Sequence, residues 1–456
     1  MENDDNSNSS GMEDDDNSNS INQFDGDENR ILQQLLHTNI SSKRKQLFWY
    51  DIRNFPDSLL IEILARLSVK SIFSFKSVCK HWQTLISHPS FCRFYYSILN
   101  SNAPSSSQPL RILDRYTYVP TLDELLNRLG TEVHSLSEFS VLFLSTPEDQ
   151  QQYHQFRILA ISNGLILCCW RAPTPFVYYI CDPLTRLWIT LPRRGPRYHD
   201  SFKEGLITKV NEDHMLTSYT VVRLEHLTSN YLNLETFSSE TGKWICYKLP
   251  CPIPILWRQL ACGPIYCYGA LHWQVINDKG IHVMLAFDPY KDPKSVCLIP
   301  FPDDRDLKSE HNYMGTCQLC GESQGTLRYF EVAHDSTQLY LFTMWAMKHY
   351  EKGEWCCEFK VRRSDLHSND LELSNWLLDG WFRPLSFHPL NPNVVYLQCM
   401  EPERIVSYNI LNKRLDFASK PIDSSQLILW STAIPFVLPK WPVLVPITTV
   451  KSKKRG

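Results

Sequence analysis

The sequence predicts a multidomain, mainly β protein, in which a small all-α bundle precedes a large region of repeated short strands. Three observations carry this. Apolar residues at helical spacing are concentrated between residues 55 and 91, with a short helical extension after them. Beyond about residue 110 that period gives way to short β-branched and aromatic runs, punctuated by Asp-Pro, Asn-Gly and Thr-Gly. These runs recur as a loose unit, copies lying roughly 50 to 65 residues apart. The 22 Phe, 21 Tyr, 13 Trp and 28 Pro suit an aromatic-filled β core with tight turns.

Residues 1 to about 28 are Asn, Ser, Asp and Glu with almost no apolar side chain, and no Lys or Arg precedes Arg30. Such a segment cannot bury enough surface to offset its ordering entropy, so disorder is expected over 1–47. Ile31 to Leu36 suits one or two helical turns within it. Lys43-Arg44-Lys45, with Lys451 and Lys453-Lys454-Arg455 in a C-terminal tail at 441–456, fits either a nuclear-import signal or plain solvated tails. The expected location is the nucleus, the cytoplasm or both.

Residues 48–100 form the helical unit. Pro56 stops helix from entering upstream, and Asp57 or Ser58 is placed to cap the first turn. Leu59, Leu60, Ile63, Leu64 and Leu67 then lay an apolar stripe on a helix. Ser68 breaks the chain, and Ile72, Phe75, Val78, Cys79, Trp82, Leu85 and Ile86 resume helical spacing until His88-Pro89. Phe91 to Leu99 predicts one further helix. So small a bundle cannot bury this many large side chains alone, so apolar surface is left for a partner. The competing reading is a helical hairpin with every apolar residue turned inward.

The residue order in this stretch resembles the F-box. That family opens on Leu-Pro, continues as an amphipathic helix, and carries a Val-Cys-Lys-x-Trp run before Leu-Ile. Here these positions read Phe55-Pro56, Leu59 to Leu67, Val78-Cys79-Lys80-His81-Trp82 and Leu85-Ile86, with Phe55 in place of the usual Leu. The resemblance implies docking onto an Skp-type adaptor and, through it, onto a cullin-RING ubiquitin ligase. The adaptor-facing residues it implies are Phe55, Pro56, Leu59, Ile63, Leu67, Val78, Cys79 and Trp82.

Composition narrows the alternatives. No window approaches the ~18 consecutive apolar residues of a membrane span, and the polar, acidic start is unlike a signal peptide. The 15 cysteines are therefore expected to stay reduced. A net charge of -3 argues against general nucleic-acid binding. Neither nucleic acid nor membrane is expected as a partner, and no cofactor is.

After a linker over 101–109, strands are expected at Phe139 to Leu144, Phe156 to Trp170, Phe176 to Cys181, Tyr219 to Leu224, Ile281 to Phe287, Gln338 to Trp345 and Val394 to Cys399. The repeating unit is a strand, a turn and a second strand carrying Trp or a bulky aliphatic. Asp182-Pro183 to Trp188 leads to Leu191-Pro192, Thr241-Gly242-Lys243-Trp244 leads to Leu249-Pro250, and Asp288-Pro289-Tyr290 leads to Ile299-Pro300. Gly353-Glu354-Trp355 and Asn412-Lys413 fit the same place. The turns need residues that fix φ or tolerate positive φ, and the following Trp or aliphatic falls where neighbouring units pack, which is the only core a propeller has.

These units resemble the F-box-associated, kelch-like region of plant F-box proteins. Ile158 to Cys169 (ILAISNGLILCC) is similar to that family's S-x-N-G-L strand, and Asp182-Pro183-Leu184-Thr185 to its N-P-x-T turn. Gly269-Ala270-Leu271-His272-Trp273 is similar to G-x-x-Y-W with His272 where Tyr is usual, and Ile405 to Leu415 resembles a late strand of the family. The resemblance implies a kelch-like β-propeller over 110–440, expected as a closed six-bladed ring in which Leu427 to Val437 completes a blade begun near its start.

Catalytic patterns are absent: no H-E-x-x-H, G-x-S-x-G or P-loop occurs. Cys317-x-x-Cys320 has half the spacing of a zinc site, but Cys262, Cys267 and His334 form no second pair, so a loop with two free thiols is expected and no metal. Cys168-Cys169 and Cys356-Cys357 read as buried free thiols. Trp376, Trp381 and Phe382 read as core. Arg193, Arg194, Arg197 and Tyr198 interleave base and aromatic on a rim loop, suited to an acidic partner or to plain solvation.

Taken together, the resemblance implies a non-catalytic substrate-recognition subunit of an SCF-type ubiquitin ligase, its propeller holding a target protein. Two alternatives stand beside it: a propeller scaffold that uses the F-box outside a complete ligase, and a propeller enzyme or lectin with the F-box as regulator.

Overall fold

The computed structural model describes residues 55–67, 69–102, 110–114, 139–142, 155–171, 177–183, 187–193, 204–212, 215–228, 231–256, 263–277, 279, 281–302, 317–334, 340–380, 382–400, 403–418 and 433–437. The chain divides into two compact units, Met1–Leu64 and Ala65–Gly456.

In the first unit, helix α1 (Asp57–Leu64) starts directly after Pro56. The Pro56 carbonyl accepts from Leu59 N at 3.0 Å and Leu60 N at 3.1 Å. Pro56 therefore stands at the capping position, and Asp57, expected as a cap, is the first helical residue. There its carboxylate meets the positive end of the helix dipole. Leu60 and Leu64 are buried one turn apart.

The second unit opens with α2 (Val69–Phe75), α3 (Lys80–Ser87) and α4 (Pro89–Asn102). The single helical run expected from Ile72 to Ile86 is broken. Cys79 takes an extended backbone, and its thiol accepts from Trp82 N at 3.5 Å, which makes Cys79 the N-cap of α3. His88-Pro89, expected as a stop, is also a start, because proline at a first helical position gives up an N–H that has no partner there. The predicted Phe91–Leu99 helix lies within α4. Ile72, Ile86, Phe91, Cys92 and Tyr95 are buried, and Trp82 packs edge-on against Phe75 with ring centroids 5.3 Å apart.

The β region begins with β1 (Leu110–Asp114) and β2 (Phe139–Leu142). Five antiparallel blades follow. Blade 1 is β3 (Gln155–Ser162), β4 (Leu165–Arg171), β5 (Val177–Asp182) and β6 (Leu187–Thr190). Blade 2 is β7 (Glu204–Val210), β8 (Leu216–Thr228), β9 (Tyr231–Ser238) and β10 (Lys243–Pro250). Blade 3 holds β11 (Ile255–Leu256), β12 (Ile265–Cys267), β13 (Ala270–Asn277), β14 (His282–Phe287) and β15 (Cys297–Pro300). Blade 4 is β16 (Cys317–Ser323), β17 (Thr326–His334), β18 (Tyr340–His349) and β19 (Glu354–Arg362). A helix, α5 (Leu371–Asp379), precedes blade 5: β20 (Phe382–Phe387), β21 (Val394–Met400), β22 (Glu403–Asn409) and β23 (Arg414–Phe417).

Six blades are expected from the sequence; the structure has five. The remaining position holds a three-stranded sheet that joins the ends of the ring. There β24 (Ala433–Val437) pairs antiparallel with β1, Leu110 opposite Val437, and β1 pairs parallel with β2. A parallel pair requires a crossover of about a dozen residues or more, and residues 115–138 are long enough for one, so this sheet is not the up-and-down meander of a blade. The expected closing segment is thus found at 433–437, while 427–432 lie outside the described residues. The inner strands β3, β7, β12, β16, β20 and β24 touch in that order, and β24 returns to β3.

Each core lies between neighbouring blades. Leu165, Leu167 and Ile180 of blade 1 meet Leu206, Tyr219 and Phe237 of blade 2. Further round, Phe330, Phe342 and Met344 of blade 4 meet Phe382, Leu397 and Tyr408 of blade 5. Contact at the inner strands is close enough to require glycine. A Cβ on Gly205 would sit 2.5 Å from Cδ1 of Leu271, and one on Gly321 2.6 Å from Cδ2 of Phe387.

Other expectations shift with this topology. Phe156 to Trp170 is not one strand but the β3–β4 hairpin, turned by Asn163 (φ 45°) and Gly164 (φ 81°). Cys317 and Cys320 lie on β16 rather than in a loop. Cys168 and Cys169 are buried as expected, but Cys356 and Cys357 are exposed, since β19 is the outer strand of its blade. Phe382 is core and Trp376 packs on it edge-on at 4.1 Å, while Trp381 lies outside the described residues.

Candidate functional site

The residues matched to the F-box can be placed one by one. In the first unit, Phe55, Leu59 and Ile63 are 41%, 45% and 52% exposed, and Pro56 is exposed beside them. Leu59 and Ile63 are four residues apart and so share one face of α1, whereas Leu60 and Leu64 hold its buried face. In the second unit, Val78 and Cys79 are exposed at the start of α3, and Leu67 and Trp82 are half-buried. A hairpin with every apolar residue turned inward is therefore not what forms: Phe55, Leu59 and Ile63 of the first unit and Val78 of the second are each exposed. Cys79 also has a structural role as cap, which its sequence position did not announce.

Of the basic-aromatic group, Arg193 is exposed just past β6. Arg194, Arg197 and Tyr198 lie outside the described residues.

The antiparallel meander puts the turns between first and second strands, and between third and fourth strands, at one end of every blade. At this turn face blades 2, 3 and 4 are joined by tyrosines that sequence reasoning did not single out. Tyr290, after β14, has its hydroxyl 2.7 Å from Thr220 Oγ1 of blade 2, and Lys209 Nζ lies 3.5 Å from its ring centroid. The Tyr350 hydroxyl lies 2.8 Å from His272 Nε2 of blade 3. His272 Nδ1 is 3.2 Å from the Ile265 carbonyl, which can only accept. Nδ1 therefore carries the proton, and Tyr350 donates to Nε2. Burial lowers the His272 pKa to about 4, so the ring is neutral. Tyr268 packs on Tyr350 with centroids 4.6 Å apart and the rings tilted by 35°. The signal that could have found them is the Tyr-Gly pair at a hairpin tip, immediately before the Leu271-His272-Trp273 strand.

Two of the three tryptophans that the repeat reading placed between blades latch them, whereas Trp188, at the same place in blade 1, is 39% exposed. Trp244 Nε1 donates to the Pro192 carbonyl at 3.0 Å, and Trp355 Nε1 to the Pro300 carbonyl at 2.8 Å. Each ties a blade's outer strand to the Leu-Pro or Ile-Pro end of the blade before it. Between blades 1 and 2, Arg223 is buried, paired with Glu235 at 3.2 Å and stacked over Tyr178, whose hydroxyl donates to Glu204 at 3.1 Å. A charge so placed is held by partners on both sides and serves packing rather than solvent-facing chemistry. Among the described residues, no group of three or more His, Cys, Asp or Glu side chains is placed to hold a metal ion. No helix among them is long and apolar enough to cross a membrane.

This architecture, helices with exposed apolar side chains ahead of a ring of blades, defines an F-box protein with a C-terminal β-propeller. The F-box domain matches residues 52–94, and the family described as "F-box protein At3g26010-like, beta-propeller" matches residues 116–433. The chain belongs to that family. Its similar proteins include F-box protein At3g26010 of Arabidopsis thaliana, 24% identical over 79% of this chain and 78% of that one. The putative F-box/kelch-repeat protein At4g22430 of the same plant is 25% identical over 79% of each chain. F-box protein At5g49610, also from Arabidopsis thaliana, is 26% identical over 84% of this chain and 96% of its own.

Proposed function

We propose that the protein is the substrate-recognition subunit of an SCF-type ubiquitin ligase, its F-box docking an Skp-type adaptor and its propeller holding the target. The observation that carries this is the exposure of Phe55, Leu59, Ile63 and Val78 within the stretch that matches the F-box domain. Burying one such side chain contributes roughly 1.5–3 kcal/mol, so a partner covering several has ample drive to bind. The role is positional rather than catalytic. Two binding surfaces on one chain raise the effective concentration of a target's lysines near the charged ubiquitin carrier. Ubiquitin transfer then belongs to the other subunits.

The test is co-purification of the full chain, with and without residues 52–91, from cells that contain the ligase. Adaptor and cullin recovered only with the full chain, and a bound protein whose turnover follows the level of this chain, are the expected result. Adaptor without cullin would point to a scaffold outside the ligase. Recovery of neither subunit overturns the proposal.

A further inference from the structure

Tyr268 occupies a backbone state that bulky residues rarely adopt. Its φ is +51°, and Gly269 after it is at +80°. Successive positive φ values are those of a two-residue hairpin turn that favours Asn-Gly, and blade 1 has Asn163-Gly164 at the corresponding tip. A tyrosine there is disfavoured by local conformation, and non-glycine residues held in such states concentrate at functional sites. The side chain it contributes is conspicuous: Tyr268 is 41% exposed at the tip of blade 3, and its ring packs on Tyr350 at a tilt of 35°. Tyr350 is itself fixed from beneath by its bond to His272, so the pair presents aromatic surface with little freedom to lose on binding.

The charges around the pair select the ligand. Asp288 closes the next turn, its Oδ1 accepting from Tyr290 N at 2.8 Å and Lys291 N at 3.0 Å. Its second oxygen lies over Gly269, 3.7 Å from where a Cβ would stand. Two cations lie close by: Lys291 pairs with Glu351 at 2.9 Å in solvent and also acts on Asp288, and Arg328 pairs with Glu358 and also acts on Tyr268, so an incoming cation would compete with them. Among the described residues, aromatic rings and a carboxylate thus converge at this tip. That is the combination that receives a cation, because both the ring face and the carboxylate attract positive charge.

We propose that Tyr268, Tyr350 and Asp288 form the docking point for a basic side chain, arginine or lysine, displayed by an extended segment of the target protein. This rests on the reading of the propeller as the target-holding domain.

A random dodecapeptide library displayed on phage, selected against the full chain, tests it. Wild type and Tyr268→Phe, which keeps the ring, are expected to enrich peptides bearing Arg or Lys. Tyr268→Asn places the favoured residue in the turn and removes the ring. Asp288→Asn keeps the turn bonds through Oδ1 and removes the charge. Each is expected to weaken the selected peptides by about tenfold, within the range of a cation–π contact, at an unchanged melting temperature. Enrichment of acidic or purely apolar peptides, failure to enrich basic ones, or equal binding to all four proteins overturns the proposal. Adaptor binding measured on the same preparations separates the two claims: its absence counts against the ligase reading, whereas loss of basic selection with adaptor still bound counts against this site alone.

Discussion

His272 shows how one residue can set a pH limit on the fold. Buried and neutral, it holds Tyr350 across the boundary between blades 3 and 4, and its pKa is about 4 instead of the ordinary 6.5. Between those values the unfolded chain binds a proton that the folded chain refuses, so stability falls as pH drops through that window. Above the unfolded value the residue contributes no pH dependence. The total loss is on the order of 3 kcal/mol. Denaturation midpoints at pH 7 and pH 4.5 should therefore lie closer together in His272→Gln than in the wild type. Equal pH dependence in the two would remove His272 from this role. The residue itself was visible in the sequence as the departure from Tyr in an otherwise matching strand. Its partner Tyr350 was not, because 78 residues separate them and a single chain carries no sign of that pairing. A separation of 70 residues hid Tyr290 and Thr220 in the same way. The Trp latches were legible because repetition marks them: Trp244 and Trp355 follow a turn, and Leu191-Pro192 and Ile299-Pro300 close a strand, in unit after unit.

At the scale of the element, amphipathic spacing identified α1 and the stripe along it, but not which members of the stripe face solvent. Leu59 and Leu60 are adjacent and chemically identical, yet one is exposed and the other buried. Only the path of the helix decides between them. The break between α2 and α3 was missed for a related reason: Cys79 fits the apolar period, so its capping of Trp82 N stayed hidden within the pattern. Strand glycines were equally silent, since a glycine in a strand reads as a weak β residue until its neighbour is known. Gly321 is such a case. Gly321→Ala forces a methyl group into the buried ring of Phe387 on the next blade's inner strand, and overpacking of this kind costs about 1–3 kcal/mol. A lowered denaturation midpoint is expected from urea titration. An unchanged one would mean that blades 4 and 5 are less tightly apposed than described.

For the whole molecule, the sequence conveyed a closed ring assembled from repeats but overcounted its blades. The error has a physical origin. The first and last strands of the ring come from opposite ends of the domain, and β1 pairs parallel with β2 across a long intervening segment, so the closing sheet does not repeat the pattern of the other five. Closure removes the free edge that an open ring would expose. Phe436, fully buried on β24, anchors it. Phe436→Ala should cost about 3–5 kcal/mol and lower the melting temperature of the second unit as a single transition. Loss of signal from β24 alone, with the rest melting as before, would show that closure is dispensable.

Binding of the adaptor is the claim from which the functional account hangs. Calorimetric titration of a purified Skp-type adaptor into the full chain, wild type and Ile63→Asp, tests it most directly. Ile63 is exposed on α1, so the charge should leave the fold intact. Saturable binding by the wild type, weakened at least about tenfold by Ile63→Asp with the melting temperature unchanged, is the predicted result. No binding by the wild type, or equal binding by both, would contradict the account.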